Sequence, residues 1–417
     1  MTRPPLVNGL ALAAYLAASH TIALAAPRLL KRRLAKGKEL PERWREKLGE
    51  ATQPRPSGKL IWLHAVGLGE TLALRGLISA LADRSDANFL VTSTTRASAE
   101  VLACNMPKRT CHQFLPLDAP GYLKRFLDHW RPALSIWTEQ DIWPGAVAAA
   151  DARGISLALV NARMNADAFA RRNRLRPLYA DLFTRFGLIS AQNKETARHL
   201  EALGAYSVRV TGSVKAAAPP LFADPTALTI AHEALAGRRA VLLASSHLED
   251  ELALLAALAA AQSRPLVLIA PRDPSRGPDI AVCAAGYGLV ATRRAARQGP
   301  TGDIWIVDTF GEMGLWYRLC QTTLIGGTFG QTEGHNPWEA AALGSAILHG
   351  QRVANFAGDF AALDGAAAAL PIHPGELVTA LGADHTDMAA RAKVLSGSAQ
   401  GALAPLSAEL IALAGLA

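Results

Sequence analysis

The sequence predicts an α/β protein: two successive series of parallel β-α units joined by a short linker and preceded by an apolar helix. Three observations predict it. Short apolar runs such as Leu60-Ile61-Trp62-Leu63-His64 and Leu266-Val267-Leu268-Ile269-Ala270 alternate with helical stretches, the pattern of strands buried on both faces and covered by helices. Ala216 to Pro225, rich in Ala and Pro, interrupts that alternation and reads as a linker. Leu6 to Pro27 is apolar apart from Asn8, Ser19, His20 and Thr21, close to the ~20 residues a membrane-spanning helix needs.

The chain has 417 residues, half of them apolar, enough for two domains with a sizeable core. The expected division is residues 1–27 as a membrane anchor, 28–215 as a first domain, 216–228 as linker and 229–417 as a second domain. The net charge of +8 suits anionic partners. No interleaving of aromatic and basic residues points to nucleic acid. Cys104, Cys111, Cys283 and Cys320 form no CxxC pair, so neither a disulfide framework nor a zinc site is expected. Arg28, Lys31, Arg32, Arg33, Lys36 and Lys38 follow the apolar segment at once. By the positive-inside rule they keep the body cytoplasmic. The segment either spans the membrane or lies along its surface, with the basic flank on anionic headgroups in both cases. Removing everything before Arg28 is expected to leave a folded, soluble body.

In the first series, strands are expected at Leu60–His64, Phe89–Thr92, Gln113–Leu117, Ala133–Trp137 and Ser156–Val160, with helices at Glu70–Ala82, Tyr122–Trp130 and Trp143–Ala152. Val208–Lys215 closes the series as a strand running into a turn. In the second, strands are expected at Arg239–Ala244, Leu266–Ala270, Ile304–Val307, Thr323–Ile325 and Ala346–His349, with helices at Asp250–Ala260 and Trp338–Leu343. Two such halves put a cleft between them. Ligands of parallel sheets sit beyond the carboxyl ends of the strands, so the polar residues there are the site candidates.

In the first half these are Glu70 after Gly67-Leu68-Gly69, then Glu139 and Asp141, then Asn161 and Arg163, followed by a basic stretch that includes Arg171 and Arg172. Each also has a plain structural reading, Glu70 as a helix-start carboxylate and the arginines as a solvated face. In the second half, Thr323-Leu324-Ile325 runs through Gly326, Gly327 and Thr328 into a loop with His335 and Asn336. Asn336-Pro337 is a good helix start, so free N–H groups there are expected to favour an anion. Glu339 follows on the helix.

The order of these pieces resembles the 3-deoxy-D-manno-octulosonic acid (Kdo) transferase family, from the amino-terminal segment to about Phe356. The family's S-V-G-E stands as Gly67-Leu68-Gly69-Glu70, E-T-E-x-W-P as Glu139 to Pro144, N-A-R-L-S as Asn161 to Asn165 and T-G-N-x-K as Thr211 to Lys215. S-T-H-x-x-E-E stands as Ser245 to Glu251, P-R-H-P-x-R as Pro271 to Arg276, D-T-x-G-E as Asp308 to Glu312, and G-G-S…G-H-N-P-x-E-x-A from Gly327 to Ala341. The chain departs from the pattern at Gly67, Asp141, Ser213 and Asp273.

The resemblance implies a GT-B glycosyltransferase with two Rossmann-like domains. It would move Kdo from CMP-Kdo, bound by the carboxyl-terminal domain, to a lipid A precursor (lipid IVA) at the inner membrane. It implies no cofactor and no metal, because CMP is a leaving group with a single phosphate. Glu70 is then the general base. Glu139, Asp141, Asn161, Arg163, Arg171 and Arg172 face the acceptor. Lys215, Ser246, His247, Arg272, Phe310, Gly311, Glu312, Met313, Gly327, Thr328, His335, Asn336 and Glu339 face the donor. Two other readings stay open: a sugar-nucleotide epimerase of the same fold, and a non-catalytic paralogue that binds lipid A.

Overall fold

The computed structural model describes residues 6–66, 68–217 and 220–416, without the side chains of residues 68–73, 97, 101, 104, 105, 215 and 400–402. The chain forms two compact units, Met1–Lys215 with Ala402–Ala417, and Ala216–Gly401. The apolar amino-terminal segment thus belongs to the first unit, and the carboxyl-terminal tail, expected in the second domain, groups with the first.

The first unit is a seven-stranded sheet of order β3-β2-β1-β4-β5-β6-β7. Its strands are β1 (Leu60–His64), β2 (Asn88–Ser93), β3 (Thr110–Phe114), β4 (Leu134–Thr138), β5 (Ser156–Ala162), β6 (Leu188–Ala191) and β7 (Arg209–Val210), all paired in parallel. Its helices are α1 (Leu10–Ala35), α2 (Leu68–Ala82), α3 (Arg96–Asn105), α4 (Pro120–Trp130), α5 (Pro144–Asp151), α6 (Ala166–Asn173), α7 (Arg176–Phe183) and α8 (Lys194–Ala202). Helix α4 shows why: Pro120 pre-sets the first turn, and Tyr122, Leu123, Phe126, Leu127 and Trp130 recur at helical spacing and are all buried. Trp62 of β1 meets Phe126 and Trp137 edge-on, with centroids 5.0 and 5.4 Å away.

The strand expected at Gln113–Leu117 lies earlier, because Pro116 has no N–H to continue a ladder; Leu117 instead donates to Lys47 O at 2.9 Å. The strand expected at Val208–Lys215 shrinks to Arg209–Val210 on the sheet edge, and Val214–Ala217 turns as a 3-10 segment.

The second unit is also seven-stranded and parallel, of order β10-β11-β9-β8-β12-β13-β14. Its strands are β8 (Ala240–Ser246), β9 (Leu266–Pro271), β10 (Ala291–Arg293), β11 (Ile304–Ile306), β12 (Thr322–Ile325), β13 (Ala346–His349) and β14 (Ala369–Pro371). Helices are α9 (Pro225–Leu235), α10 (Leu248–Ala260), α11 (Gly277–Gly286), α12 (Met313–Leu319), α13 (Trp338–Ala342), α14 (Ala357–Gly365) and α15 (Leu377–Gly382), and α16 (Thr386–Leu413) begins here and belongs to the first unit from Ala402 on. Helix α9 begins at Pro225, inside the stretch expected to be linker. In each sheet the strand order reverses beside a central strand, between β1 and β4 and between β8 and β12. These are the switch points where open parallel sheets bind ligands.

Helix α1 is long and apolar enough to cross a membrane, and only 17% of its most apolar window is buried. It is not a free appendage, however. Leu12, Ser19, Ala26 and Leu30 form one buried stripe, and the helix packs on α4, α5 and α7. Pro27 cannot donate to the carbonyl of Ala23 one turn back; Tyr122 Oη donates to it instead at 3.0 Å. Tyr15 Oη donates to Asp118 at 2.6 Å, and Gly9 N to Asp181 at 2.6 Å. Arg185, buried, bonds Asp151 at 2.5 Å, Asp181 at 2.7 Å and Asn8 at 3.0 Å. The expectation that the body is independent of this segment therefore conflicts with the packing.

Candidate functional site

At the first sheet's switch point, β1 ends in His64, which is 1% exposed. Its Nδ1 lies 3.1 Å from the Thr92 carbonyl and 2.9 Å from Thr92 Oγ1. The carbonyl can only accept, so Nδ1 carries the proton, leaving Nε2 unprotonated; among the described residues it is buried without a partner. Burial pushes the His64 pKa down to about 3. Helix α2 begins just beyond, and Glu70 is its third residue; the Glu70 side chain and Gly67 lie outside the described residues.

Glu139 follows β4 and Asn161 is the last residue but one of β5. Both are buried and both hold the left-handed backbone, φ 60° and 58°, a conformation that costs a non-glycine residue roughly 1–3 kcal/mol and clusters at functional sites. Asn161 Nδ2 reaches Glu139 Oε1 at 3.5 Å, and its Oδ1 accepts from Val214 N at 3.0 Å. Arg172 donates to Gln140 O at 2.8 Å. Burial raises the Asp141 pKa, Arg172 opposes that rise and Glu139 adds to it. Glu139, Asp141, Asn161 and Arg172 thus form one cluster. Arg163 N donates to Glu139 O at 3.4 Å, while Arg171 is exposed on α6.

In the second unit, β8 ends in Ser246, and His247 caps α10. His247 Nε2 lies 2.8 Å from His335 Nε2. One ring must donate to the other, so the pair shares a proton. Burial, then His247, then Arg272 push the His335 pKa down to about 4. His335 is therefore neutral at pH 7, and the exposed Arg272 is the cation beside the pair.

Several N–H groups of the glycine loop are held within the protein. Gly327 N and Phe329 N donate to Asp250, at 2.6 and 3.1 Å. Gly326 N donates to Ala244 O and Gly334 N to Gly327 O, both at 2.8 Å. Asn336 Oδ1 accepts from Trp338 N at 3.1 Å, but Pro337 rather than Asn336 stands at the cap position, and α13 has only five residues. The N–H groups of Gly326, Gly327, Phe329, Gly334 and Trp338 are thus committed within the protein. Thr328 is buried and fixes the same loop, donating to Ile325 O at 2.7 Å.

Ser246 is buried and donates to Glu251 at 2.7 Å, and Arg276 grips the same carboxylate at 3.0 and 2.7 Å. Phe310 and Gly311 are exposed beyond β11. Burial alone would raise the Glu312 pKa, but Arg294, bonded at 2.6 and 2.7 Å, and Thr309 hold it low. Met313 starts α12. Glu339 lies close enough to the buried Tyr317 to raise its pKa further, after burial itself. The Lys215 side chain lies outside the described residues. Asp273, standing where the resembling family has His, caps its own turn through Ser275 N at 3.0 Å. Among the described residues no group of three or more His, Cys, Asp or Glu is placed to hold a metal ion.

Sequence reasoning assigned no site role to His64, Asp250 or Asp118. The first is the last residue of a strand that reads as wholly structural, and the two carboxylates act on partners remote in sequence.

A pH dependence of stability follows from two buried histidines. Arg43 Nη2, which can only donate, lies 2.9 Å from His112 Nδ1, so His112 Nε2 donates to Ser93 Oγ at 2.9 Å. Burial and Arg43 lower the His112 pKa to about 3. An unfolded histidine titrates near ~6.5. Between pH ~6.5 and 3 the unfolded chain binds protons at His64 and His112 that the folded chain does not, so stability falls as pH drops through that window and is flat above it. The urea midpoint is expected to decline from pH 7 to pH 5, and less steeply in His64→Asn. A midpoint unchanged over that range would remove these two groups as the cause.

Comparison with known proteins agrees with the geometry. The profile of the 3-deoxy-D-manno-octulosonic-acid transferase (kdotransferase) family matches residues 42–218. The 3-deoxy-D-manno-octulosonic acid transferase of Rickettsia bellii is 32% identical over 324 residues, covering 76% of this chain and 77% of that one. The enzyme of the same name from Bordetella pertussis is 33% identical over 346 residues, covering 79% and 80%. In fold, the chain is similar to Anabaena Alr3699/HepE, solved in complex with UDP-glucose, with a TM-score of 0.56 and 13% identity over 85% of this chain and 100% of that one. The two parallel sheets are those of a GT-B protein. The chain belongs to the 3-deoxy-D-manno-octulosonic acid transferase family and is a glycosyltransferase.

Proposed function

We propose that the protein moves Kdo from CMP-Kdo to a lipid A precursor, lipid IVA, at the cytoplasmic face of the inner membrane. The observation that carries this reading is the division of chemistry between the two switch points, with the buried Glu139 and half-buried Asp141 in the first unit and Arg272 beside the His247–His335 pair in the second. A transfer needs a base for the acceptor hydroxyl and a cationic face for the leaving phosphate. Glu70 takes the hydroxyl proton as its oxygen attacks the anomeric carbon of Kdo, and CMP departs with the bonding pair. Arg272 balances the phosphate charge, with Lys215 as a second cation. Glu139, Asp141, Asn161, Arg163, Arg171 and Arg172 orient the acceptor, the arginines meeting its phosphates. Phe310 to Met313 face cytosine, and Glu339 holds donor hydroxyls beside Asn336, while Ser246, Gly327 and Thr328, already hydrogen-bonded within the protein, shape the site from beneath.

Helix α1 supports the membrane part of the reading. One stripe is docked on the first unit, while Leu10, Leu24 and Leu29 remain exposed. Lys31, Arg32, Lys36 and Lys38 are exposed as well. A docked helix with an apolar outer face and basic flank suits a position in the plane of an anionic membrane surface.

The test is incubation of the full-length protein with CMP-Kdo and lipid IVA, with mass spectrometry of the lipid. Addition of Kdo to the lipid, undiminished by EDTA, is expected. Strict dependence on added Mg²⁺ would reject the metal-free mechanism. Release of free sugar and CMP without any acceptor would point to the epimerase reading, and lipid binding without turnover to the non-catalytic one.

A further inference from the structure

Asp250 is the third residue of α10 and is fully buried. An acidic residue there ordinarily serves its own helix, and Asp250 Oδ2 does accept from His247 N at 3.0 Å. The same carboxylate also reaches outside its helix. Oδ2 accepts from Gly327 N at 2.6 Å and Oδ1 from Phe329 N at 3.1 Å. One carboxylate thus takes three backbone N–H groups, two of them from the loop between β12 and α13, and helix capping requires only the first.

The fastened loop is the one that carries His335. Gly327 has φ 70°, and a Cβ there would come within 2.9 Å of Thr332 and 3.3 Å of the His335 ring. Thr328 Oγ1 secures the next residue by accepting from Gly350 N at 2.8 Å. His335 pairs with His247, whose own N–H rests on Asp250. Both members of the histidine pair are therefore positioned from one buried carboxylate, beside Arg272.

We infer that Asp250 is a positioning residue for the donor. It holds the His247 cap and the 326–335 loop in register before any ligand arrives, so that the His247–His335–Arg272 face is preformed. The inference rests on the reading that the second unit binds CMP-Kdo. Binding to a preformed face avoids the ordering cost of a mobile loop. Asn at position 250 offers one oxygen where the carboxylate offers two, and its amide hydrogens would confront a backbone N–H, so the loop must let go at one end.

The test uses the full-length protein, with CMP as the probe in titration calorimetry and CMP-Kdo in turnover. Wild-type protein is expected to bind CMP. Asp250→Asn is expected to weaken CMP binding by about tenfold or more and to raise the KM for CMP-Kdo in parallel, with the KM for the lipid acceptor unchanged. Asp250→Glu, which restores both oxygens, is expected to recover most of that loss. A role confined to capping lowers thermal stability but leaves the affinity of the folded protein alone. A folded Asp250→Asn protein that binds CMP as tightly as wild type therefore overturns the inference. If that variant does not fold, amide exchange in wild type decides. The Gly327 and Phe329 amides should be protected without ligand to the level of α10; rapid exchange that slows only when CMP is added overturns it. Wild-type protein that binds no CMP rejects the donor assignment itself, and the positioning role with it.

Discussion

Glu70→Gln is expected to lower turnover by about 10²–10⁴-fold, the usual contribution of a positioned general base, with the affinity for CMP-Kdo nearly unchanged. The variant keeps the size and hydrogen-bonding reach of the side chain but cannot take a proton at neutral pH. Its place in the fold makes the assignment specific: Glu70 lies in the first turn of α2, directly beyond β1, and β1 and β4 flank the switch point of the first sheet. The residues proposed to bind the donor, Lys215 excepted, belong to the other unit, so donor binding supplies an independent check that the variant is folded. If Glu70 only starts a helix, its loss changes stability by at most ~1 kcal/mol and the rate survives. A near-normal rate with intact donor binding would move the search to Glu139 and Asp141. Of these, Asp141 has its pKa raised, chiefly by burial, the direction a carboxylate needs in order to act as a base nearer neutrality.

What the sequence revealed depended on the range over which each signal acts. Strands such as Leu60–His64 and Ala346–His349 match residue for residue, because continuous apolar runs bounded by turn residues leave little choice of register. The third strand is misplaced because Gln113–Leu117 reads as apolar enough while Pro116 forbids the ladder. Helices α6 and α8 escaped notice because they are polar. Their signal was Asn165 and Asn193, whose side chains accept from Ala168 N at 2.9 Å and Thr196 N at 2.8 Å. The polar residues at strand ends were legible as candidates, since a parallel sheet fixes where they must lie. What each one does was not. Asp250 donates no hint of a bond to Gly327, 77 residues away, nor Asp118 of its bonds to Gly145 and Ala146 at 2.8 Å. Asp250 fastens two N–H groups of the glycine loop, a tie that no local sequence signal announces.

Removing the residues before Arg28 is expected to destabilise the protein severely, against the expectation drawn from sequence. The apolar segment scans as an anchor because Leu, Ala and Ile dominate it, and hydropathy alone does not separate a lipid-facing helix from one docked on protein. The docking contacts decide the matter. Leu12 is fully buried, and burying such a side chain contributes roughly 1.5–3 kcal/mol. Tyr15 donates to the buried Asp118 at 2.6 Å, and a hydrogen bond to a charged group contributes about 1.5–3 kcal/mol. Arg185 also loses Asn8, bonded at 3.0 Å. A total near ~5 kcal/mol approaches the ~5–15 kcal/mol that a whole domain has. The shortened chain should therefore aggregate, or melt ~10–20 °C below the full-length protein in the same detergent. Two single variants separate docking from membrane attachment. Leu12→Ala should lose about 2–5 kcal/mol of stability and still bind anionic vesicles when folded. Leu24→Ala, at a residue 77% exposed, should keep its stability and bind those vesicles less well. Equal melting temperatures for the shortened and full-length chains would show that the helix is an independent anchor and that the first unit folds without it.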